Sequence, residues 1–169
     1  GDIRNCLIAL SKSDKLMNDL FQYRFEDGCL SGHSFGNLFI AALTKITGSF
    51  EEAIRETSRI LNISGKVVPS TLTDTHICAE MDNGEIRLQE DEITKRFEKE
   101  NKGPRIRRVF LNPEDTPGNP EALEEIRNAD LIVIGPGSLY VSIIANLLVK
   151  DIINAIRENK KAKKVYIVN

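Results

Sequence analysis

Residues 130–142, DLIVIGPGSLYVS, decide the fold of this chain. An acidic residue leads into four aliphatic residues, and a turn of two glycines, a proline and a serine follows before the sequence becomes apolar again. A continuous aliphatic run of this kind is typical of a strand that is buried on both faces in a parallel sheet. The stretch therefore predicts a strand over 131–134 that ends in a glycine turn.

The segments on either side of this strand predict an α/β fold. Asn119 and Pro120 suit the N-cap and first position of a helix that precedes the strand. A final helix from about 143 to 158 leads to a last strand, KVYIVN, at 164–169. Because strands and helices alternate, we expect a Rossmann-like three-layer fold with a mainly parallel sheet, formed by one domain over residues 1–169.

The first part of the chain predicts helices. The apolar pattern of residues 2–25 suits one or two amphipathic helices interrupted near 11–14. Residues 34–47, SFGNLFIAALTKIT, are apolar on nearly every side and predict a helix enclosed by other elements. Ser49 and Glu52 then predict a capping box for the next helix.

The middle of the chain predicts a short strand and a hairpin. GKVVPS, 65–70, is expected to be a strand stopped by its proline. In THICAEMDNGEIRLQE, Asn83 and Gly84 suit the centre of a two-residue type I′ turn, which would pair Met81 with Ile86. The hairpin would be an antiparallel addition to the sheet.

Two further elements and a polar loop are predicted around this hairpin. Residues 92–100 suit a polar helix, and RIRRVFL, 105–111, a strand that leads into the proline-rich loop NPEDTPGNP. The stretch TDTH, 73–76, is polar enough to line a site, and it is equally suited to be the entry loop of the hairpin.

Composition excludes several classes of protein. The 169 residues include 23 basic and 25 acidic side chains, so no field of one sign favours a nucleic-acid partner. No apolar run approaches the ~18 residues of a membrane span, and no signal peptide is visible. Cys6, Cys29 and Cys78 lack C-x-x-C spacing, and His76 has no ligands at metal-binding spacing, so we expect a cytoplasmic protein without a disulfide framework or a metal site.

The turn GPGS is the first candidate site. In an open α/β sheet, ligands bind beyond the carboxyl ends of the strands, where a glycine turn offers backbone amides to an anion. Gly135 and Gly137 would let a phosphate approach the backbone, and Ser138 adds a hydroxyl donor. A turn between a strand and a helix also needs glycine when nothing binds. GPGS is neither G-x-G-x-x-G nor a Walker loop, so both interpretations stay open on these residues alone.

The stretch GHSFGN, 32–37, is a second glycine turn that opens a helix. His33 could meet a phosphate or act as an acid or base, with Ser34, Gly36 and Asn37 beside it. Alternatively, Ser34 only caps the helix, the glycines shape the turn, and His33 satisfies a local backbone group. The second interpretation is favoured for a histidine without a visible partner.

The two turns belong to a longer series of motifs. In chain order these are GDIRNCLIAL, FQYRFEDG, GHSFGNLFIAALTKITGSFEEAI, GKVVPS, ADLIVIGPGSLYVSIIANLLV and KVYIVN. The series resembles the CofD-like family, and more closely its gluconeogenesis factor (YvcK-type) branch. The resemblance covers essentially the whole chain, and it implies a Rossmann-like fold with a nucleotide-type ligand at the carboxyl edge of the sheet.

The resemblance also implies which residues line the site. Residues 135–140 correspond to the family's second glycine turn, and 32–37 to its G-H-x-x-G-N turn. The ligand-binding residues expected on this basis are Gly135, Gly137, Ser138, Leu139, Tyr140, Ser142, His33, Ser34, Gly36 and Asn37. No catalytic residue is assigned.

Several departures from the family pattern qualify this expectation. The family usually reads LYTSIIPNLLV with a glycine shortly afterwards, whereas Val141 replaces the threonine, Ala145 the proline and Asp151 the glycine. The valine removes a hydroxyl donor. Family members also begin with a strand and a phosphate-binding glycine loop and continue beyond the last strand, so we expect this chain to be the middle of such a protein, with an incomplete site.

Two functions follow from the resemblance. The first is a cytoplasmic regulatory protein that binds a UDP-sugar and links carbon metabolism to cell shape and envelope growth. The alternative is a 2-phospho-L-lactate transferase-like enzyme that acts on a deazaflavin acceptor, for which Mg²⁺ would be the cofactor. Whether the protein is an enzyme, and whether it forms a homo-oligomer, stays open.

Overall fold

The structure is a computed structural model that describes residues 2–88, 93 and 103–168. The chain divides into two compact units, Gly1–Pro69 and Ser70–Asn169. The α-helices are α1 Asp2–Leu10, α2 Lys15–Gln22, α3 Phe35–Thr47, α4 Phe50–Ile60, α5 Pro120–Asn128, α6 Ala145–Leu147 and α7 Lys150–Glu158. The strands are β1 His76–Met81, β2 Ile86–Leu88, β3 Ile106–Asn112, β4 Leu131–Ile134 and β5 Lys163–Tyr166.

The helices of the first unit begin and end where their capping residues predict. The break between α1 and α2 lies near 11–14, as expected. The side chain of Ser34 accepts a hydrogen bond from the amide of Asn37, and Gly48 ends α3 in the left-handed conformation. Ser49 caps α4, but the carboxylate of Glu52 pairs with Arg55. Only the serine half of the predicted capping box is therefore confirmed.

A cluster of aromatic and aliphatic side chains holds the first unit together. Phe21 is fully buried and packs against Phe35 and Phe39, with ring centroids 5.9 and 5.0 Å away. The prediction that α3 is enclosed on nearly every side is wrong, because Ile46 is 78% exposed. GKVVPS is not a strand either: it forms no ladder, and its Val67 packs against the aromatic cluster instead.

Two sheets form in the second unit, and they confirm the predicted α/β class. The first is antiparallel with the order β2-β1-β3, and the second is the parallel pair β4-β5. The expected predominance of parallel pairing is not met among the described strands, because β3 pairs with β1 rather than with β4. The helix predicted over 92–100 lies outside the described residues except for Ile93, which is buried.

The hairpin forms, but its predicted register is wrong by one residue. Glu80 pairs with Ile86, and the amide of Met81 donates to the carbonyl of Glu85 at 2.8 Å, so the loop consists of the three residues 82–84 rather than of two. A type I′ turn requires a positive φ at both central residues, and only Gly84, at +84°, has one. The amide of Gly84 donates to the carbonyl of Met81 at 3.0 Å, as in a type I turn closed by a left-handed glycine.

The helix predicted over 143–158 begins earlier and is interrupted. A π-helix, Leu139–Ile144, runs into α6, and α7 follows after a bend. No single helix among the described residues is long and apolar enough to cross a membrane. The bent pair Leu139–Leu147 and Lys150–Glu158, which meet at 72°, passes that test only together, and only by length and composition.

The strands β4 and β5 expose apolar side chains, contrary to the prediction of a strand buried on both faces. Leu131 and Val133 are 55% and 48% exposed, and Val165 is 45% exposed on the same face of the neighbouring strand. No third strand pairs with either of them within the part of the chain that the structure describes. A parallel pair gains its burial from further strands and covering helices, which these residues do not supply on this face.

The buried side chain of Asn159 joins the corners from which β4 and β5 begin. Its Nδ2 donates to the carbonyls of Ile126 and Ala129, at 2.8 and 2.9 Å, at the end of α5. Its Oδ1 accepts from the amides of Lys161 and Ala162, at 3.1 and 2.9 Å, before β5. One side chain thus satisfies four backbone groups and sets the start of the parallel pair.

We expect Asn159→Asp to lower the free energy of unfolding of the full-length protein by about 2–3 kcal/mol. One carboxylate oxygen still accepts from the amides of Lys161 and Ala162. The other replaces the Nδ2 donor, so an acceptor faces the carbonyls of Ile126 and Ala129 and repels them. Urea unfolding measures the effect, and Asn154→Asp, an exposed position on α7, is the control. A loss no larger than that of the control would contradict this role.

Candidate functional site

Gly135 begins the turn after β4, and its glycine is required by the fold. Its φ is +87°, and a Cβ atom there would lie 2.6 Å from the backbone carbonyl oxygen of Ile167. The amide of Ile167 donates to the carbonyl of Ile134 at 2.9 Å, which extends the pairing of β4 with β5 by one residue. Both its dihedral angle and its surroundings therefore exclude a side chain.

Gly137 differs from Gly135, because its backbone does not require glycine. Its φ lies outside the left-handed region, and a Cβ would meet only side chains, with Ser142 Cβ nearest at 3.1 Å. A contact of that length needs a shift of a few tenths of an ångström by the serine. The turn alone thus explains Gly135 but leaves the glycine at 137 largely unexplained.

The π-helix follows directly from this turn. The carbonyl of Ser138 accepts hydrogen bonds from the amides of both Ser142 and Ile143 at 3.0 Å, which widens the first helical turn. The Ser138 side chain is exposed and makes no capping bond, and Tyr140 is half-buried. Single π-helical turns occur frequently at functional sites. The predicted residues Gly137, Ser138, Leu139, Tyr140 and Ser142 therefore lie together on one irregular segment that is exposed or half-buried.

Val141 has a packing role in this segment. Its side chain packs against the cluster formed by Ala79 and Met81 of β1 and by Ile93. The sequence suggested that valine removes a ligand donor at this position. In the structure the valine also joins the π-helix to the hairpin of the same unit by apolar contact.

A chain of hydrogen bonds that the sequence does not reveal surrounds the turn. The Ser70 hydroxyl bonds to Oδ1 of Asn146, whose Nδ2 donates to the carbonyl of Ser142 at 2.6 Å. The carbonyl of Ser70 accepts from the amide of Asn119 at 2.8 Å. The one sequence signal is Asn146 itself, a polar residue in an otherwise apolar run.

Asp151, the position where the family has glycine, also has a local role. Its carboxylate accepts a hydrogen bond from the amide of Gly118 at 2.8 Å, at the end of the proline-rich loop. A Cβ on Gly118 would lie 2.8 Å from Cβ of Asp151, so the two backbones approach closely. This contact fixes the loop that leads into α5.

The second predicted turn, 32–37, lies in the first unit. Gly36 is buried, and a Cβ there would lie 2.7 Å from the carbonyl of Phe21 and 2.9 Å from Cδ of Arg4. Ser34 is the buried cap of α3, while His33 and Asn37 are exposed. Close packing explains Gly36, and capping explains Ser34. Of the predicted residues here, His33 and Asn37 present side chains to solvent.

The two turns belong to different units, and that they share one ligand site stays a prediction. The stretch 73–76 is better explained as the entry loop of the hairpin. Its Thr75 hydroxyl donates to the carbonyl of Asn112 at 3.2 Å and accepts from Thr116 at 3.3 Å. These hydroxyls satisfy local groups.

Two acidic side chains of the proline-rich loop that follows β3 form ion pairs. Lys150 Nζ lies 2.5 Å from Asp115, and its hydrogen bond lowers the pKa of that carboxyl. Arg108 pairs with Glu114 at 2.8 Å. Within residues 2–88, 93 and 103–168, no three His, Cys, Asp or Glu side chains lie close enough together to hold a metal ion.

These features define an α/β protein in which a parallel strand ends in a glycine turn and a π-helix. Over residues 1–169 the sequence matches the family model described as 2-phospho-L-lactate transferase CofD. The chain therefore belongs to the CofD family. The predicted resemblance to this family is confirmed.

The similar proteins include gluconeogenesis factors. The chain is 50% identical over 170 residues to the gluconeogenesis factor of Halalkalibacterium halodurans, a match that covers 100% of this chain and 51% of that protein. It is 49% identical over 170 residues to the gluconeogenesis factor of Bacillus subtilis, covering 100% and 51%. The chain spans about half the length of these curated relatives.

A solved structure has the same fold over this chain. The crystal structure of a protein from Bacillus halodurans superimposes with a TM-score of 0.89 at 50% sequence identity. The match covers 100% of this chain and 52% of that one. The likeness confirms the predicted α/β fold class.

Gly135→Ala is expected to lower the free energy of unfolding of the full-length protein by about 2 kcal/mol or more, because alanine is strained at positive φ and meets a backbone carbonyl. Gly137→Ala, which meets only a side chain, should lower it by less than about 1 kcal/mol. Urea unfolding of both variants checks this. Equal losses would show that the two glycines have the same structural role.

Val141→Thr is expected to lower the free energy of unfolding by about 1 kcal/mol, since it brings a hydroxyl into an apolar contact. Val133→Thr on the exposed face of β4 is the control and should be close to neutral. Thermal unfolding and calorimetric titration with UDP-N-acetylglucosamine measure stability and affinity. Higher affinity with unchanged stability would instead favour a ligand-facing side chain at 141.

Proposed function

We propose that this chain belongs to a cytoplasmic regulatory protein that binds a UDP-sugar, with residues 137–140 and Ser142 forming part of the binding site. Ligand occupancy would link carbon metabolism to cell shape and envelope growth. The observation that carries the proposal is the pair of local features at the end of β4: a glycine at 137 that the fold does not demand, and a π-helix directly after it.

The chemistry of this segment suits an anionic ligand. Gly137 has no side chain and its backbone does not require one to be absent, so a phosphate can approach the main chain there. The exposed Ser138 hydroxyl is a further donor, and the half-buried Tyr140 and Ser142 lie two and four residues further along the chain. The similarity to proteins named gluconeogenesis factor favours the regulatory function.

The second turn is a weaker part of the proposal. Because Gly36 and Ser34 have structural roles, only His33 and Asn37 are left as candidate ligand contacts there. Both are exposed in the first unit. We assign them the recognition of polar groups of the ligand.

The alternative function is a transferase, and the family description favours it. In that case the turn at 137–138 would stabilise charge that develops on a phosphate during transfer to a deazaflavin acceptor, with Mg²⁺ as cofactor. A magnesium-dependent turnover assay with that acceptor distinguishes the two functions. A regulatory binding protein forms no product in it.

Isothermal titration of the full-length protein with UDP-N-acetylglucosamine and UDP-glucose tests the proposed function. We expect saturable binding of at least one of them. No heat at millimolar ligand would contradict the proposal. The same preparation analysed by light scattering reports whether it is a homo-oligomer.

Gly137→Ala is expected to weaken UDP-sugar binding about tenfold, because a methyl group occupies the space through which the phosphate approaches the backbone. The melting temperature should fall by only a few degrees. The matched control is Ile153→Val on α7, a half-buried position in the same unit. Affinity that changes no more than in the control would favour a turn without a ligand.

A further inference from the structure

Ser70 is the point at which two distant segments of the second unit meet. Its carbonyl holds the amide of Asn119 at the start of α5, and its hydroxyl holds Asn146 in α6. Between Asn119 and Asn146 the chain passes through α5, β4, the glycine turn and the π-helix. The segment that contains the candidate site is therefore tied at both ends to one serine.

Asn146 carries this connection to the π-helix. Its Nδ2 donates to the carbonyl of Ser142 at 2.6 Å, while its Oδ1 accepts from Ser70. A side chain that bonds to the carbonyl four residues earlier adjusts the direction of a helical turn. The bond spans residues 142–146, and this turn shares Ser142 and Ile143 with the preceding one, in which the amides of both bond to the carbonyl of Ser138.

The hydrogen bonds of Asn146 to Ser70 and Ser142 differ from a buried stabilising contact because they are exposed to water. Asn146 is exposed and Ser70 is half-buried, so water competes for both hydrogen bonds. Exposed hydrogen bonds of this kind contribute little to global stability, because water replaces them when they break. The effect of these two bonds is instead on the orientation of the helical turn that they join to Ser70.

We propose that Ser70 and Asn146 are positioning residues for the glycine turn. They hold the π-helix so that the backbone of residues 137–139 faces the anionic diphosphate of the nucleotide sugar. The proposal rests on the proposed function for the identity of the ligand. It adds that two residues without ligand contact set the affinity of the site.

The variants are Ser70→Ala, Asn146→Ala and the double variant, all in the full-length protein. Each single variant should weaken UDP-N-acetylglucosamine binding about fivefold, the scale of one lost hydrogen bond. The double variant should be no weaker than the worse single one, because both changes break the same connection. Ser70→Thr, which keeps the hydroxyl, should bind within about twofold of the wild type.

A second measurement does not depend on the ligand. Without UDP-sugar, amide hydrogen exchange at Ser142 and Ile143 should be about fivefold faster in Asn146→Ala than in the wild type. Exchange in β1 should be unchanged. Asn154→Ala, at an exposed position of α7, should alter neither affinity nor exchange.

The outcomes separate the two proposals. If the wild type binds the nucleotide sugar and the Ser70 and Asn146 variants behave like Asn154→Ala, the positioning role is overturned. Additive losses in the double variant also overturn it. If the wild type binds no UDP-sugar, the proposed function fails, and the exchange rates decide: faster exchange at 142 and 143 supports the positioning role, and unchanged exchange refutes it.

Discussion

The four hydrogen bonds of the Asn159 side chain are the constraint on which the second unit depends. They satisfy two carbonyls at the end of α5 and two amides before β5, so both strands of the parallel pair start from one buried group. Because β4 is only four residues long, its starting point fixes where Gly135 lies. The position of the candidate site is thus set at the opposite end of the strand from the site itself.

A hierarchy of contacts follows from this constraint. Buried hydrogen bonds at Asn159 fix the strands, and the close approach of Gly135 to the Ile167 carbonyl fixes the first residue of the turn. Beyond Gly135 the contacts become exposed and weaker, as at Ser70 and Asn146. The hydrogen bonds therefore become more exposed to water from the buried base of β4 toward residues 137–142.

Local signals in the sequence predicted much of the fold. Ser34, Ser49 and Asn119 were identifiable as caps because a helix start depends on a few neighbouring residues. The hairpin register failed because it depended on the sign of φ at Asn83, which the dipeptide Asn-Gly leaves open. The glycine turn at 135 was predictable, but the bond between Ser70 and Asn146 was not, since 76 positions separate them. The π-helix has no sequence signature of its own.

The packing of Val141 on the hairpin has a consequence for how the protein changes over evolution. The residue joins the segment after the glycine turn to Ala79 and Met81, which lie on a different sheet. A coupling free energy between two sites is reciprocal, so a change that stabilises the packing of β1 also stabilises the segment that contains Val141. Substitutions in β1 are therefore expected to change the stability of the glycine turn through the packing of Val141. The sequence of the hairpin, which has no ligand contact assigned to it, is therefore expected to change together with the sequence of the site.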